Sequence, residues 1–400
     1  MKLSVARQEG PVLLFIPAVF AMNANLQQRA SLKNARKVVV KIGSRVLVQR
    51  NGRPDLRRLR ELTRDLGRLR RSGVDVIVVS SGAIGSGMQA LGMKRRPTEI
   101  AELQMAAAVG QSRLMAIYEK LFDRERCRIG QMLLTHADLK DRTRHLNARN
   151  TLLTMLAYGI IPIINENDVV AVEEIKFGDN DLLAALVALL VPADVLVLLT
   201  TVDGFRAPAA NGRTQRVRCL SGLNDETLAL AKGKGSELST GGMASKLRSA
   251  DMVAQVGAPV VIANGRAPQI ISRILSGADV GTLLTAPTQA GRGAFKRWLA
   301  YFQKPAGVLT IDDGALRALE QKGSSLLPIG IKAVSGEFKA DVVVDIYALD
   351  GRLVARGLTE YGSPDLRKIA GHRTNELSML LGAEGPEEAV HRDKLVLLKS

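Results

Sequence analysis

The chain has 400 residues, 46% of them apolar and 24% charged, with a formal net charge of +17. That length suggests two or three domains, and the balance is that of an ordinary globular protein with no repeat or low-complexity tract. Its two cysteines, Cys127 and Cys219, cannot form a disulfide framework; both read as inert core residues, nothing argues for secretion, and a cytoplasmic location is expected.

The charge is unevenly spread. Residues 304–400 hold 13 Lys/Arg against 14 Asp/Glu, so the basic excess lies wholly in the first three quarters of the chain. Ten arginines fall between Arg45 and Arg71, where Leu56, Leu59, Leu62, Leu66 and Leu69 recur at helical spacing. This predicts an amphipathic helix with its arginines on a solvated face. Such a face can attract nucleic acid, but it is also common in Arg-rich proteomes.

Taken in order, residues 11–22 are apolar and follow Lys2 and Arg7, which raises a signal peptide. The run is too short to span a bilayer and carries two prolines. Residues 1–34 are therefore expected to be a poorly ordered extension, and no membrane segment is expected elsewhere. Strands are predicted at 37–42, 74–79, 128–134, 160–164, 194–199 and 258–263. Helices are predicted at 54–71, to about 91, at 99–122, 145–158, 179–190 and 242–256. Nearly continuous apolar strands alternating with helices predict an α/β fold, an open, mostly parallel sheet sandwiched by helices. Within helix 99–122, Leu103, Ala106, Ala107 and Leu114 could line an interface or the core. Residues 287–303 read as a linker. Short alternating strands, with helices near 312–322 and 365–370, then predict a small β-rich domain over 304–382, followed by a tail at 383–400.

The densest chemistry lies at Ile164-Asn165-Glu166-Asn167-Asp168 and Gly178-Asp179-Asn180-Asp181. Four acids and three amides between a buried strand and a buried helix exceed what helix capping needs, and point to a ligand site. Three glycine-rich turns also sit at strand or helix ends: Lys41-Ile42-Gly43-Ser44, Ser80-Ser81-Gly82-Ala83, and Thr240-Gly241-Gly242-Met243. Glycine admits close backbone approach to an anion, and free N–H groups at a helix start bind phosphate. In open α/β sheets ligands bind beyond the carboxyl ends of the strands. No Walker A loop, zinc-ligand spacing or Ser-His-Asp order is present, and His136 reads as a polar strand-end residue. Lys41 lies in an apolar strand and must find a counter-charge. Lys246 follows the Gly241-Gly242 start by about one turn and can point back to the same anion. Two lysines, glycine turns and a carboxylate/amide cluster suit phosphoryl transfer, which is mostly positioning and charge neutralisation.

These residues resemble the glutamate 5-kinase (γ-glutamyl kinase) family, an amino-acid-kinase fold followed by a PUA domain. The resemblance runs from about Lys37 to Lys394. It is carried by VVVKIGS, SSGAIGSG, AAAVGQSRL, GQMLLT, LNARNT, PIINENDVVA, EIKFGDNDLLAAL, TGGMASK, GSSLLPIGIKAV and VHRDKL. It implies ATP- and Mg²⁺-dependent phosphorylation of the side-chain carboxylate of L-glutamate, the first step of proline biosynthesis. By motif position, Lys41 and Lys246 would neutralise the transferring phosphoryl and Asp181 would orient both. Gly43, Ser44 and Gly82 would lie against phosphate or the reacting carboxylate. Ser81, Asn165, Asp168, Asp179 and Asn180 would hold glutamate. Thr200, Thr201, Thr240, Gly241, Gly242 and Met243 would line the nucleotide site; which residues meet the metal is not implied. Two positions depart from the family pattern. Thr201 stands where an acid is usual, with Asp203 as a nearby substitute, and Arg45 follows Ser44 where Ser or Thr is common. The resemblance also implies feedback inhibition by proline and a homo-oligomer, dimer or tetramer. A PUA domain raises RNA binding, through a patch such as Arg367, Lys368 and Arg373, which the acidic balance of residues 304–400 opposes.

Overall fold

The structure, a computed structural model, describes residues 27–49, 54–171, 180–209, 213–232, 242–285, 305–382 and 385–398. The expected linker 287–303 and residues 1–26 lie outside the described residues. Among the described residues up to 285 there are ten strands: β1 (Lys37–Ile42), β2 (Asp75–Ser80), β3 (Ile129–Leu134), β4 (Ile161–Glu166), β5 (Val195–Thr200), β6 (Arg206–Pro208), β7 (Thr214–Arg216), β8 (Cys219–Leu220), β9 (Val260–Asn264) and β10 (Thr282–Leu284). Eight of them form one sheet in the order β3-β4-β2-β1-β5-β9-β10-β8, while β6 and β7 pair as a separate hairpin. From β3 to β9 every pairing is parallel; β10 runs antiparallel to β9 and parallel to β8.

The unbroken apolar character of the strands has a direct cause. Side chains alternate between faces with a period of two. In β1, Val39 enters one apolar cluster, while Val38, Val40 and Ile42 enter the other. Helices Arg142–Ala157, Asn180–Leu190 and Met243–Ala254 cover the Val39 face through Leu152, Leu183 and Leu247. Helices Leu56–Arg71, Ile100–Arg124 and Ile270–Leu275 cover the other through Leu66, Leu114 and Ile274. With both faces buried, no polar alternation is required.

The Arg-rich helix behaves as its leucines predict, capped by Asp55 and burying Leu59, Leu62 and Leu66, although Leu56 at its first turn is exposed. Leu103, Ala106, Ala107 and Leu114 of the long helix are all buried core. His136 is not at a strand end: it opens the helix His136–Lys140, because Thr135 and Asp138 form a reciprocal capping box that ends the extended backbone. Residues 27–34, grouped in sequence with the poorly ordered extension, are helical and packed. Arg29 is buried and donates to the carbonyls of Arg218, Ala278, Val280 and Gly281, tying this segment to the β8–β10 edge.

The second domain is a five-stranded sheet in the order β12-β11-β13-β14-β15, formed by β11 (Gly307–Ile311), β12 (Ile331–Ser335), β13 (Val343–Ala348), β14 (Leu353–Leu358) and β15 (Leu395–Leu397). The expected C-terminal tail is thus not merely appended: Leu395–Leu397 pairs antiparallel with β14 and buries Leu395 and Val396. Arg367 pairs with Glu337 at 2.7 Å and Lys368 with Asp365 at 3.6 Å, so much of the basic patch read from sequence is locally neutralised. No helix among the described residues is long and apolar enough to cross a membrane.

Candidate active site

Neighbouring parallel strands bring the sequence-predicted residues to one edge. Strands β4, β2, β1 and β5 are adjacent, and their carboxyl ends carry Asn165, Ser80-Ser81, Lys41 and Thr200. Lys41 lies two residues after Val39 and so faces the side covered by helices Asn180–Leu190 and Met243–Ala254. Asp181 is in the first turn of the former and Lys246 in the first turn of the latter.

The three charges meet. Lys41 Nζ lies 2.6 Å from Asp181 Oδ1, and Lys246 Nζ donates to Asp181 Oδ2 at 2.8 Å. Asp181 is 0% exposed, Lys41 5% and Lys246 7%. Burial alone would push the Asp181 carboxyl up, but the charges and hydrogen bonds of Lys41 and Lys246 outweigh it and hold its pKa at about 2. One carboxylate is thus shared by two ammonium groups in a buried setting, an arrangement able to direct both lysines toward an anion.

Beside the triad runs a row of amides. Asn180 Nδ2 donates to Ser80 O at 2.7 Å, to Ser81 Oγ at 3.1 Å and to Asn165 Oδ1 at 2.9 Å. Asn165 Nδ2 donates in turn to Gln111 Oε1 at 2.8 Å. Ser80 Oγ meets the Tyr118 hydroxyl at 2.8 Å, and burial pushes that phenol up to about 12, so it stays a neutral hydrogen-bonding group. Gln111 and Tyr118, on the long helix, are contributors the sequence reading missed. Gln111 sits beside Ser112 and Arg113, and Tyr118 beside Glu119 and Lys120, so neither stands out in sequence, and only the fold places them against Asn165 and Ser80.

The glycine turns line the same edge. Gly43 N–H donates to Leu199 O, and a Cβ there would lie 3.1 Å from that oxygen and 3.9 Å from Lys41 Nζ. Gly82 adopts φ 106°, a left-handed conformation that glycine holds without strain, and opens the helix Ala83–Ala90. Gly242 caps the helix that Met243 begins. Ser44 is exposed, and Asp168 is half-buried in the turn after β4. Asp179, Thr240 and Gly241 lie outside the described residues. Thr200 and Thr201 are half-buried at and just beyond the end of β5. Asp203, the candidate stand-in for the missing acid, is exposed and pairs with Arg206 at 2.9 Å. Arg45 is exposed, and its carbonyl accepts from Arg266.

A buried lysine–carboxylate–lysine triad, glycine turns and an amide row at the carboxyl edge of a parallel sheet define a small-molecule phosphotransferase class of site. Residues 36–264 match the family model described as Amino acid kinase family, and residues 307–381 match the PUA domain. A protein of Thioalkalivibrio sulfidiphilus (strain HL-EbGR7) named Glutamate 5-kinase is 46% identical over 374 residues, 93% of this chain and 100% of its own. Proteins of the same name from Synechococcus sp. (strain JA-2-3B'a(2-13)) and Moorella thermoacetica (strain ATCC 39073 / JCM 9320) are 48% and 44% identical. They cover 90% and 92% of this chain, and 98% of each relative is spanned. The chain belongs to the amino acid kinase family, in its glutamate 5-kinase branch.

Proposed function

We propose that this chain transfers the γ-phosphoryl group of ATP to the side-chain carboxylate of L-glutamate, forming γ-glutamyl phosphate and ADP as the first step of proline biosynthesis. The observation that carries this reading is the convergence of Lys41 and Lys246 on the buried Asp181, beside the Asn180–Asn165 amide pair. A glutamate carboxylate oxygen attacks the γ-phosphorus, and the bond to the β-phosphate bridging oxygen breaks. The carboxylate is already ionised at neutral pH, so no general base is needed. The obstacle is repulsion: two unit charges 4 Å apart at an effective dielectric of about 20 cost roughly 4 kcal/mol. Lys41 and Lys246 offset that charge on the transferring group, and Asp181 fixes their direction.

Gly43, Ser44 and Gly82 let main chain approach phosphate or the reacting carboxylate. Thr200, Thr201, Gly242 and Met243 form the nucleotide side, with Thr240 and Gly241 assigned there by motif. Ser81, Asn165, Asp168 and Asn180 hold the amino acid, Asp168 accepting from its α-ammonium, with Asp179 assigned by motif. Mg²⁺ would supply further neutralisation across the nucleotide's phosphate oxygens. Asp181, committed to two lysines, is not a ligand for it. Inhibition by proline at the glutamate pocket and assembly as a dimer or tetramer belong to the proposal through family resemblance. A cytoplasmic setting fits two unpaired cysteines whose thiols burial pushes up. RNA binding gains no support from a patch in which Arg367 and Lys368 are paired to acids.

The test is a substrate panel with purified protein, following ADP release with L-glutamate, L-aspartate and N-acetylglutamate. Turnover with glutamate at least 100-fold above the others is expected. Equal or better turnover of another acid would assign the site to a different member of the family.

A further inference from the structure

The amide row has a fixed polarity. A main-chain carbonyl can only accept, so the Asn180 group 2.7 Å from Ser80 O is its NH₂. That NH₂ also meets Asn165, whose facing atom is therefore Oδ1. Asn165 then turns its own NH₂ toward Gln111, whose facing atom must be Oε1. Each orientation dictates the next, and the row ends on Gln111 Nε2. This nitrogen is buried and has no hydrogen-bond partner among the described residues. A buried donor without an acceptor is costly, and native structures seldom leave one unless a ligand completes it. The helix that carries it is seated against its neighbour. At the adjacent Gly110, a Cβ would lie 1.8 Å from Ala83 O and 2.4 Å from Gly87 N, so the two backbones are already in contact.

The row also has a direction relative to the reaction. Asn180 adjoins Asp181 and the lysines, while Gln111 lies at the opposite end. A glutamate with its side-chain carboxylate at the lysines extends its α end toward Gln111. We propose that Gln111 is a specificity-determining residue whose Nε2 donates to the α-carboxylate of the bound amino acid. This rests on the reading of the site as an L-glutamate kinase. The Asn180–Asn165–Gln111 row then acts as a ruler, and aspartate, one methylene shorter, cannot satisfy both ends.

Two variants separate recognition from support. Gln111→Glu keeps an oxygen to accept from Asn165 but replaces the donor; Gln111→Leu removes both. The expected result for Gln111→Glu is a KM for glutamate raised about 10- to 100-fold, with the KM for ATP and the melting temperature near wild type. If Gln111 only holds Asn165 in place, Gln111→Glu will match wild type while Gln111→Leu fails, and the proposal is overturned. Should Gln111→Glu not fold, wild-type enzyme is assayed with 4-aminobutyrate, which lacks the α-carboxylate. A loss of at least 10-fold in kcat/KM is expected, and use equal to glutamate would overturn the proposal. A wild-type enzyme inactive on glutamate would instead defeat the reading of the site itself.

Discussion

Asp181 gathers two buried lysines, and its charge is what makes their burial tolerable. Removing one partner from such a group leaves uncompensated charge at a cost of about 3–5 kcal/mol. Asp181→Asn keeps the shape and loses the charge, so a destabilisation of that order is expected, with glutamate-dependent turnover abolished. A pH signature accompanies it. The Asp181 carboxyl is held at about 2 against an ordinary 3.8. A depressed carboxylate contributes stability that is fully present above its unfolded pKa and is lost as pH falls through its folded pKa. Wild type should therefore lose on the order of 2 kcal/mol between about pH 4 and pH 2 that Asp181→Asn does not lose. Denaturant titrations of both proteins across that range measure it, and parallel acid limbs would contradict the assignment. Lys41 was legible in sequence because a lysine in an apolar strand requires a partner, and Asp181 because acids and amides crowd its helix start. Gln111 was not legible, since its role exists only relative to Asn165, 54 positions away.

At the scale of elements, the crossing of helices Ala83–Ala90 and Ile100–Arg124 sets the pocket wall. Gly87 and Gly110 allow it: a Cβ on Gly87 would fall 1.7 Å from Ala106 O. Two effects compete in Gly110→Ala. Alanine is favoured over glycine in a helix by roughly 0.5–1 kcal/mol, whereas overpacking typically costs about 1–3 kcal/mol. The obstructing atoms here are backbone and cannot swing aside, so the steric effect wins. A lowered denaturation midpoint and a raised KM for glutamate are expected. A midpoint at or above wild type would show that the helices are not in contact as described. The long strands and helices were legible because apolar runs and 3.6-residue periodicity extend over enough positions to register. The hairpin of β6 and β7, the two-residue β8 and the three-residue β10 were not, being too short to carry a period. His136 reads from sequence as a strand-end residue; the strand stops at Leu134 as expected, and Thr135 and Asp138 cap a short helix that His136 begins.

Over the whole molecule, the split in charge coincides with a change in architecture. The basic excess belongs to the parallel-sheet domain and the near-neutral remainder to the second sheet. Two described segments near the ends of the domains are built into the fold. Arg29 ties residues 27–34 to the β8–β10 edge, and β15 completes the second sheet. Neither was readable, because one buried guanidinium and one three-residue strand leave no pattern in sequence. The two domains also share apolar contact, with Val343, Leu358 and Val396 belonging to the same buried cluster as Leu183 and Leu247. In the proposed function this assembly makes an acyl phosphate at a lysine-neutralised site. The most direct measurement is hydroxamate formation from ATP, L-glutamate and hydroxylamine, comparing wild type with Lys246→Ala. Hydroxamate with wild type and a fall of at least 100-fold in the variant, with the fold intact, are expected. Undiminished hydroxamate in Lys246→Ala, or none from wild type, would contradict it.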